Sequence, residues 1–506
     1  MTVETLSKEL TLADYTSIVN ERLLVLREAQ SLWQATSFEQ RVTYLARLRE
    51  LLSAKSGDYA RIIALENGKT ELEALSQEII PLLDTIEYLE KNTHKILKDE
   101  SANVVTKQFY FKGKDNYYYH QPYGVIGILG TWNYPLILNM SQMLFALMAG
   151  NAVILKTSEL SERVTEAIKE LLIEAGFPKD LFYCFFGGVE AGKALCIAEC
   201  DKYILTGSQQ TGRAVAKALG QTLKPSIMEL SGVDPYVILS DADWPLAIKT
   251  LLWASFQYSG QTCVAPRRVL IQSKDKALFL AEFKKAWDAC GDFIDNQGIL
   301  RSQAVAQDQK QKLNTLLQKG ARVEFGDSHM DAESKYFPPQ VLSGVTMVAL
   351  ESMDFMAPIF FILECKDDAD IIKTANQSQY ALGASVWTAS AERAENLARH
   401  ILAGQLWVND SIFSVALGCV PFGGFKSSGF GKTRGRDGLL EMTQKKFVSF
   451  DWRKKRLLKH LPPYEDQGFA ILNQIQRMLY QSNWLKKITA CMTLVKTIIF
   501  QKPKRK

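Results

Sequence analysis

Val125-Ile126-Gly127-Ile128-Leu129-Gly130 is a near-continuous apolar run. A strand with one wet face alternates, whereas a strand buried on both faces of a parallel sheet reads like this one. Comparable runs follow it. Ala152-Val153-Ile154-Leu155 ends at Lys156, Phe182-Tyr183-Cys184-Phe185-Phe186 ends at Gly187-Gly188, and Tyr203-Ile204-Leu205 runs into Thr206-Gly207. Helical segments separate them: Met140 to Ala149, then Val164 to Ala175, stopped by Gly176 and Pro178. This β-α-β-α order predicts a doubly wound sheet, whose ligands sit beyond the C-terminal strand ends. Gly207 and Gly212 lie where a strand meets a helix N-terminus. Free N–H groups and the helix dipole there favour an anion such as phosphate, although strand-to-helix turns also use glycine for steric reasons alone.

Toward the N-terminus, residues 5–100 read as an amphipathic helical layer. Val19, Leu23 and Leu26, then Leu45, Leu48, Leu51 and Leu52, recur at helical spacing. Ser37 with Gln40 three residues on has the form of a capping box, and Glu66-Asn67-Gly68-Lys69 ends a helix in a turn. Residues 107–121, with Gln108-Phe109-Tyr110-Phe111 and Tyr117-Tyr118-Tyr119-His120 about a Gly113 turn, predict an aromatic hairpin. We expect it to serve as a subunit-contact arm; packing within the chain is the alternative. Toward the C-terminus a second α/β unit spans about 232–418. Its strands are Tyr236–Leu239, Val269–Ile271, Phe360–Leu363 and Ala384–Trp387, and a glycine-dense loop, Pro421 to Gly431, follows it.

Composition is that of a globular protein: 47% hydrophobic and 23% charged residues over 506 positions. The eight cysteines form no C-x-x-C pair, so reduced thiols and no metal site are expected. The five histidines sit in no motif, which leaves Cys–His and Ser–His mechanisms without support. The net charge of +5 hides an asymmetry. Residues 451–506 carry 13 Lys/Arg against 3 Asp/Glu, leaving the rest at −5, so nucleic acid is not an expected partner of the fold.

The stretch Phe256-Gln257-Tyr258-Ser259-Gly260-Gln261-Thr262-Cys263-Val264-Ala265-Pro266 sets one cysteine among small, polar and turn-forming residues. A free thiol titrates near ~8.5 and only its thiolate attacks carbonyls well. A tight loop close to backbone N–H groups is expected to lower that pKa. Cysteine also packs as a small hydrophobe, so the reading depends on partners elsewhere.

Those partners complete a pattern. Gly130-Thr131-Trp132-Asn133-Tyr134-Pro135, Leu155-Lys156-Thr157-Ser158-Glu159, Thr206 to Gly212, Met228-Glu229-Leu230-Ser231-Gly232, Gly260 to Pro266 and Pro421 to Gly431 occur in order. Together they resemble the aldehyde dehydrogenase superfamily, most nearly its class 3 and fatty aldehyde branch, over residues 15–465. The resemblance implies oxidation of an aldehyde to the acid with NAD, NADP being the alternative. It implies Cys263 as nucleophile, Glu229 as general base, and Asn133 with the Cys263 N–H as oxyanion donors. For the cofactor it implies Lys156 and Glu159 at the adenosine ribose, Gly207, Ser208 and Gly212 at the pyrophosphate, and Trp132 and Phe422 to Gly424 along the site. Asp354 stands in Asp354-Phe355-Met356-Ala357-Pro358, where the family has E-x-F-G-P and a glutamate that holds the nicotinamide ribose. Ser231 and Val233 replace a commoner glycine and lysine, and are expected not to touch the chemistry.

The expected architecture is therefore two doubly wound α/β domains, an arm and a tail. The cofactor domain takes 1–106 and 122–231, the arm 107–121 and 434–450, and the catalytic domain 232–433. The basic extension takes 451–506. In the extension Ile471, Ile475, Leu479, Ser482, Leu485, Ile488, Met492, Val495 and Ile499 read as one helical stripe, interrupted by Arg477, Lys486, Lys487 and Lys496. A basic amphipathic helix with Trp484 suits a membrane surface. The sequence reading is of a cytoplasmic homodimer acting on medium- to long-chain aldehydes, with peripheral membrane contact through the tail. A polyene or aromatic aldehyde is the alternative substrate, and a catalytically weak scaffold the remote one.

Overall fold

The computed structural model describes residues 10–102, 113–327, 329–331, 333–350, 353–452, 462 and 466–500. They fall into two compact units, Met1–Leu97 with Gln121–Gln444, and Lys98–His120 with Lys445–Lys506.

The larger unit holds two open sheets. In the first, the strands lie in the order Gly429–Phe430, Ser226–Glu229, Lys202–Thr206, Val125–Leu129, Ala152–Thr157, Phe182–Phe186. All pair in parallel except Gly429–Phe430. Val125–Leu129 is buried at every residue, as its unbroken apolar run requires. Chain order reverses on either side of this strand, which makes the crevice between its C-terminal end and that of Lys202–Thr206 the topological switch point. The second sheet runs Arg322–Gly326, Gln340–Ser343, Ile359–Cys365, Pro266–Gln272, Asp234–Ile238, Gly383–Trp387, Gln405–Val408. Its first pair is antiparallel and the rest are parallel. Gln340–Ser343, Gln405–Val408 and Gly429–Phe430 are too short and too mixed to stand out in the sequence.

Helices Leu12–Trp33, Phe38–Ala54, Ser56–Asn67 and Ile80–Leu97 cover the first sheet's core. Ser37 Oγ accepts from the Gln40 N–H at 3.2 Å and Gln40 Oε1 accepts from the Ser37 N–H at 3.1 Å, the capping box expected. Gly68 takes φ 80° at the end of the third helix. The arm expected over 434–450 begins later. Helix Gly435–Glu441 packs into the first core through buried Leu439, because its apolar side has no other cover.

The smaller unit has a three-stranded sheet of Glu100–Ser101, Asp115–Pro122 and Thr443–Phe450. Tyr118 packs on Phe447 and Tyr117 on Phe450, with ring centroids 5.7 and 6.1 Å apart. The Gln108–Phe111 half of the expected hairpin lies outside the described residues. The tail forms two helices, Asp466–Tyr480 and Trp484–Phe500, instead of one stripe. Asn483 breaks it, its side chain accepting from the Leu485 N–H at 2.9 Å. Ile471 and Ile475 are buried, while Leu485, Ile488, Met492, Val495 and Ile499 stay exposed. Among the described residues no helix is long and apolar enough to cross a membrane.

Candidate active site

Two cavities of the larger unit share Cys263. The first, about 560 Å³, lies at the switch point, between the loop Thr131–Asn133 and the turn Thr206–Gln210. Glu229, Ser231, Cys263, Asp354 and Phe422 complete its wall. The second, about 600 Å³, is apolar, walled by Ile137, Leu138, Leu246, Trp253, Ile412 and Phe413, and it reaches Cys263 from another side.

The Cys263 loop is held in an unusual shape. Tyr258, Ser259 and Gly260 carry φ of 48°, 52° and 67° in succession, conformations that side-chain-bearing residues seldom adopt. The Tyr258 N–H donates to Glu73 Oε1 at 3.0 Å, and the Ser259 N–H to Gln297 Oε1 at 2.8 Å. The buried Arg267 guanidinium binds the carbonyls of Gly260, Ala357 and Ile359. A Cβ on Gly260 would stand 2.3 Å from the Ala357 carbonyl oxygen. Gly260→Ala is therefore expected to cost about 3 kcal/mol or more, from left-handed strain plus the backbone clash. Thermal melting checks this, and a melting temperature within about 2 °C of wild type would contradict it. Gly232 packs as tightly, its absent Cβ 2.6 Å from the Cys263 carbonyl oxygen.

Burial pushes the Cys263 thiol up to about 12, with the nearby Asp234 and Glu229 carboxyls adding to the effect. The expected lowering by backbone N–H groups is thus overturned. The loop's own N–H and Arg434 pull the other way but do not prevail. Glu229 ends its strand, buried, and burial pushes its carboxyl up to about 8. Thr433 Oγ1 donates to Glu229 Oε1 at 3.2 Å, while Oε2 has no protein partner. The thiol and the Glu229 carboxyl line one cavity, and the carboxyl can take a proton only in the ionised form that it reaches as pH rises through about 8.

Asn133 is buried in the loop after Val125–Leu129. Its Oδ1 accepts from Thr131 Oγ1 at 2.8 Å and its Nδ2 donates to the Gln261 carbonyl at 3.0 Å. That pairing fixes the amide's orientation and leaves a second N–H for a ligand. Behind it lies a pair the sequence did not reveal. Lys69 and Glu78 are an ion pair with both side chains fully buried. Lys69 Nζ donates to the Asn133 carbonyl at 2.8 Å, and Glu78 Oε2 accepts from the Leu136 and Ile137 N–H groups at 2.8 and 3.2 Å. Glu78 reaches them from a π-helical turn, Leu75–Ile79, a form frequent at functional sites. A lysine in an Asn-Gly-Lys turn reads as surface, since only pairing lets lysine be buried.

Of the expected cofactor residues, Trp132, Gly207, Ser208 and Asp354 lie on the first cavity. Ser208 caps helix Gln209–Gly220, whose N-terminus faces that cavity. Gln142 Oε1, Gln209 Nε2 and Glu229 Oε2, all from residues on this wall, are buried without partners among the described residues. Such donors and acceptors around a helix N-terminus fit a dinucleotide. Lys156 and Glu159 lie off this wall, at the C-terminal end of Ala152–Thr157. Gly212 also lies off it; its absent Cβ is 2.6 Å from Leu230 Cδ1, so it serves helix packing. Asp354 is bound by Lys312 Nζ at 2.9 Å and Ser231 Oγ at 2.6 Å. Burial opposes its charge, yet Lys312 and Ser231 hold the carboxyl below its usual range. The expectation that Ser231 stays clear of the chemistry is corrected: it grips the shorter Asp354. Losing one hydrogen bond to a carboxylate, Ser231→Gly is expected to raise KM for the dinucleotide about three- to tenfold. Initial-rate kinetics at saturating aldehyde measures this, and an unchanged KM would contradict it.

A thiol, a buried carboxyl and an amide line one cavity at the switch point of a doubly wound sheet, the place where an α/β protein of this class binds its ligand. The particular family follows from comparison with known proteins. Residues 16–448 match the aldehyde dehydrogenase family, and the chain belongs to it. It is 32% identical over 464 residues to the 4,4'-diapolycopene aldehyde oxidase of a Methylomonas species, covering 90% of this chain and 85% of that protein. It is 30% identical over 438 residues to aldehyde dehydrogenase 2 of Saccharomyces cerevisiae, an enzyme named for NAD(P)+, covering 83% and 85%. Its fold matches the NAD+ complex of a Bacillus cereus aldehyde dehydrogenase with TM-score 0.79 and 27% identity, covering 88% and 90%. The chain is accordingly an aldehyde dehydrogenase with a nicotinamide dinucleotide as cofactor.

Proposed function

We propose that the chain oxidises apolar aldehydes of medium to long chain, as the fatty aldehyde branch of the family does, through a covalent intermediate on Cys263. The observation that carries this reading is the second cavity. Its wall is apolar, and its charged residues, Lys249 and Arg434, are both cations. A quaternary-ammonium aldehyde would find no carboxylate there, whereas an alkyl or polyene chain loses water against Ile137, Leu246, Trp253 and Phe413.

Glu229 takes the Cys263 proton as the sulfur attacks the aldehyde carbon. The resulting alkoxide accepts from Asn133 Nδ2 and the Cys263 N–H; losing one such donor typically costs ~10²–10³ in rate. When bound, the nicotinamide supplies the acceptor for the hydride, which leaves an acyl group on sulfur. Glu229 first gives the thiol's proton up to solvent and then takes a proton from water as the water oxygen attacks the thioester carbon; the C–S bond breaks to release the acid and return the thiolate. Asp354, Lys312 and Ser231 position the nicotinamide ribose. Ser208 and the Gly207 turn hold the pyrophosphate, and Trp132 lines the site. Lys156 and Glu159 bind the adenosine ribose, where a carboxylate favours NAD over NADP.

A second reading is a polyene aldehyde, favoured by the activity for which the Methylomonas relative is named. NADH formation with acetaldehyde, hexanal, decanal, hexadecanal and retinal separates the two. The proposal expects kcat/KM to rise with chain length to decanal and beyond; a maximum at acetaldehyde would overturn it, and a maximum at retinal would favour the second reading. The same proposal includes a homodimer and contact of the tail with an anionic membrane surface. From Gln467 to Lys506 there are basic residues and no acidic one, and helix Trp484–Phe500 exposes Trp484, Ile488, Met492 and Ile499. Phosphatidylserine vesicles are expected to pellet the full chain but not residues 1–465; equal pelleting would refute the contact.

A further inference from the structure

Arg434 stands apart from every role assigned above. It lines the second cavity together with Cys263, and only 3% of its surface is exposed. Its backbone is held at φ 60°, rare for a residue with a side chain, and Gly435 follows at φ 61°. This reversal turns the guanidinium inward. The ring of Phe422, a residue on both cavity walls, lies 5.1 Å from the guanidinium carbon. One nitrogen, Nη1, donates to the Val415 carbonyl. The other, Nη2, is buried with no protein partner, and no carboxylate among the described residues pairs with the guanidinium. A buried guanidinium with an unused face is costly unless something binds it.

The charged and titratable groups that bear on this position are Cys263 on its loop and Glu229 at the end of its strand. The remaining cation on the cavity wall, Lys249, is exposed. An aldehyde enters neutral. Negative charge arises on the oxygens of its former carbonyl carbon, first as the alkoxide while that carbon is bonded to the Cys263 sulfur, and finally as the carboxylate once the C–S bond has broken. A planar fork beside the sulfur matches a carboxylate in shape and charge.

We infer that the Arg434 guanidinium forms an anion subsite beside Cys263 that receives the carboxylate made there by the reaction. This deepens the proposed function and rests on Cys263 being the nucleophile. The subsite sits at the reacting end of the substrate, so it selects for the state of the reacting carbon and not for a distant charged group. It draws the acid off the sulfur side, and it makes long-chain monocarboxylates inhibitors competitive with aldehyde.

The test uses the full-length enzyme and two alkylating probes of like size, iodoacetate and iodoacetamide, read by peptide mass spectrometry at Cys263. Wild type is expected to prefer the anionic probe, relative to the same ratio for 2-mercaptoethanol, by about tenfold, as a charge-assisted contact gives. Arg434→Gln is expected to lose that preference and Arg434→Lys to keep part of it. Decanoate is expected to shield Cys263 from iodoacetamide in wild type and not in Arg434→Gln. A wild-type ratio equal to the free thiol's, or no shielding by decanoate, overturns the subsite. Both wild-type readings stand even where Arg434→Gln does not fold. Should Cys263 alkylation leave aldehyde oxidation intact, the nucleophile reading fails, while the probe ratio still decides whether an anion site is present.

Discussion

Replacing Cys263 by alanine is expected to lower NADH formation from decanal by about four orders of magnitude or more, because the acyl group then has no atom to ride on. The other seven cysteines offer no substitute. Cys184, Cys196, Cys200 and Cys365 are buried, and Cys419 and Cys491 are exposed. Cys290 shares neither cavity with Glu229 or Asn133. Fold and rate separate cleanly in this variant. The thiol holds no hydrogen bond to another described side chain that alanine would break, and it lines both cavities, so the melting temperature is expected to stay within a few degrees. A variant that melts normally and still oxidises decanal at a tenth of the wild-type rate would remove the nucleophile from the account.

Glu229→Gln is expected to lower steady-state turnover about 10²- to 10⁴-fold, the usual yield of a positioned base. Its pH dependence is more telling. Burial holds the carboxyl near 8, so at neutral pH most of it is protonated and cannot accept a proton. Wild-type kcat/KM is therefore expected to climb with pH through about 8, and the glutamine variant to lose that limb. Stability should run opposite. The folded-state pKa lies above the ordinary 4.5, so ionisation costs the folded state, and this contribution is lost as pH rises from about 4.5 to about 8. At pH 9 the isosteric glutamine variant should melt above wild type. A pH profile unchanged by the substitution would place the base elsewhere.

Much of this site was legible in the sequence because its parts lie on strand ends. Val125–Leu129, Ala152–Thr157, Phe182–Phe186 and Lys202–Thr206 are buried on both faces, so their apolar runs mark them, and the residues that follow them fall at the ligand end. Cys263 and Asn133 were found through short motifs whose glycines and prolines are local events. What escaped was non-local. Lys69 in a turn and Glu78 on a helix are two unrelated polar residues until folding buries them together behind Asn133. Ser231 and Asp354 lie 123 positions apart, and only their contact shows that the two departures from the family pattern form one adjustment. The raised thiol could not be foreseen either, because it comes from burial and from Asp234 and Glu229, carboxyls on two other strands. The tail misled in the opposite way. Its helical period runs across residues 481–483, where Asn483 starts a new helix, and spacing alone does not register that break.

The most direct test is to look for the acyl group on sulfur. Full-length wild-type enzyme would be mixed with decanal and NAD, quenched in acid within milliseconds, before hydrolysis, and measured by intact and peptide mass spectrometry. The account expects one decanoyl group per chain, on Cys263, formed together with one equivalent of NADH. NADH formed in that amount with Cys263 unmodified, or a decanoyl group on any other residue, would contradict it.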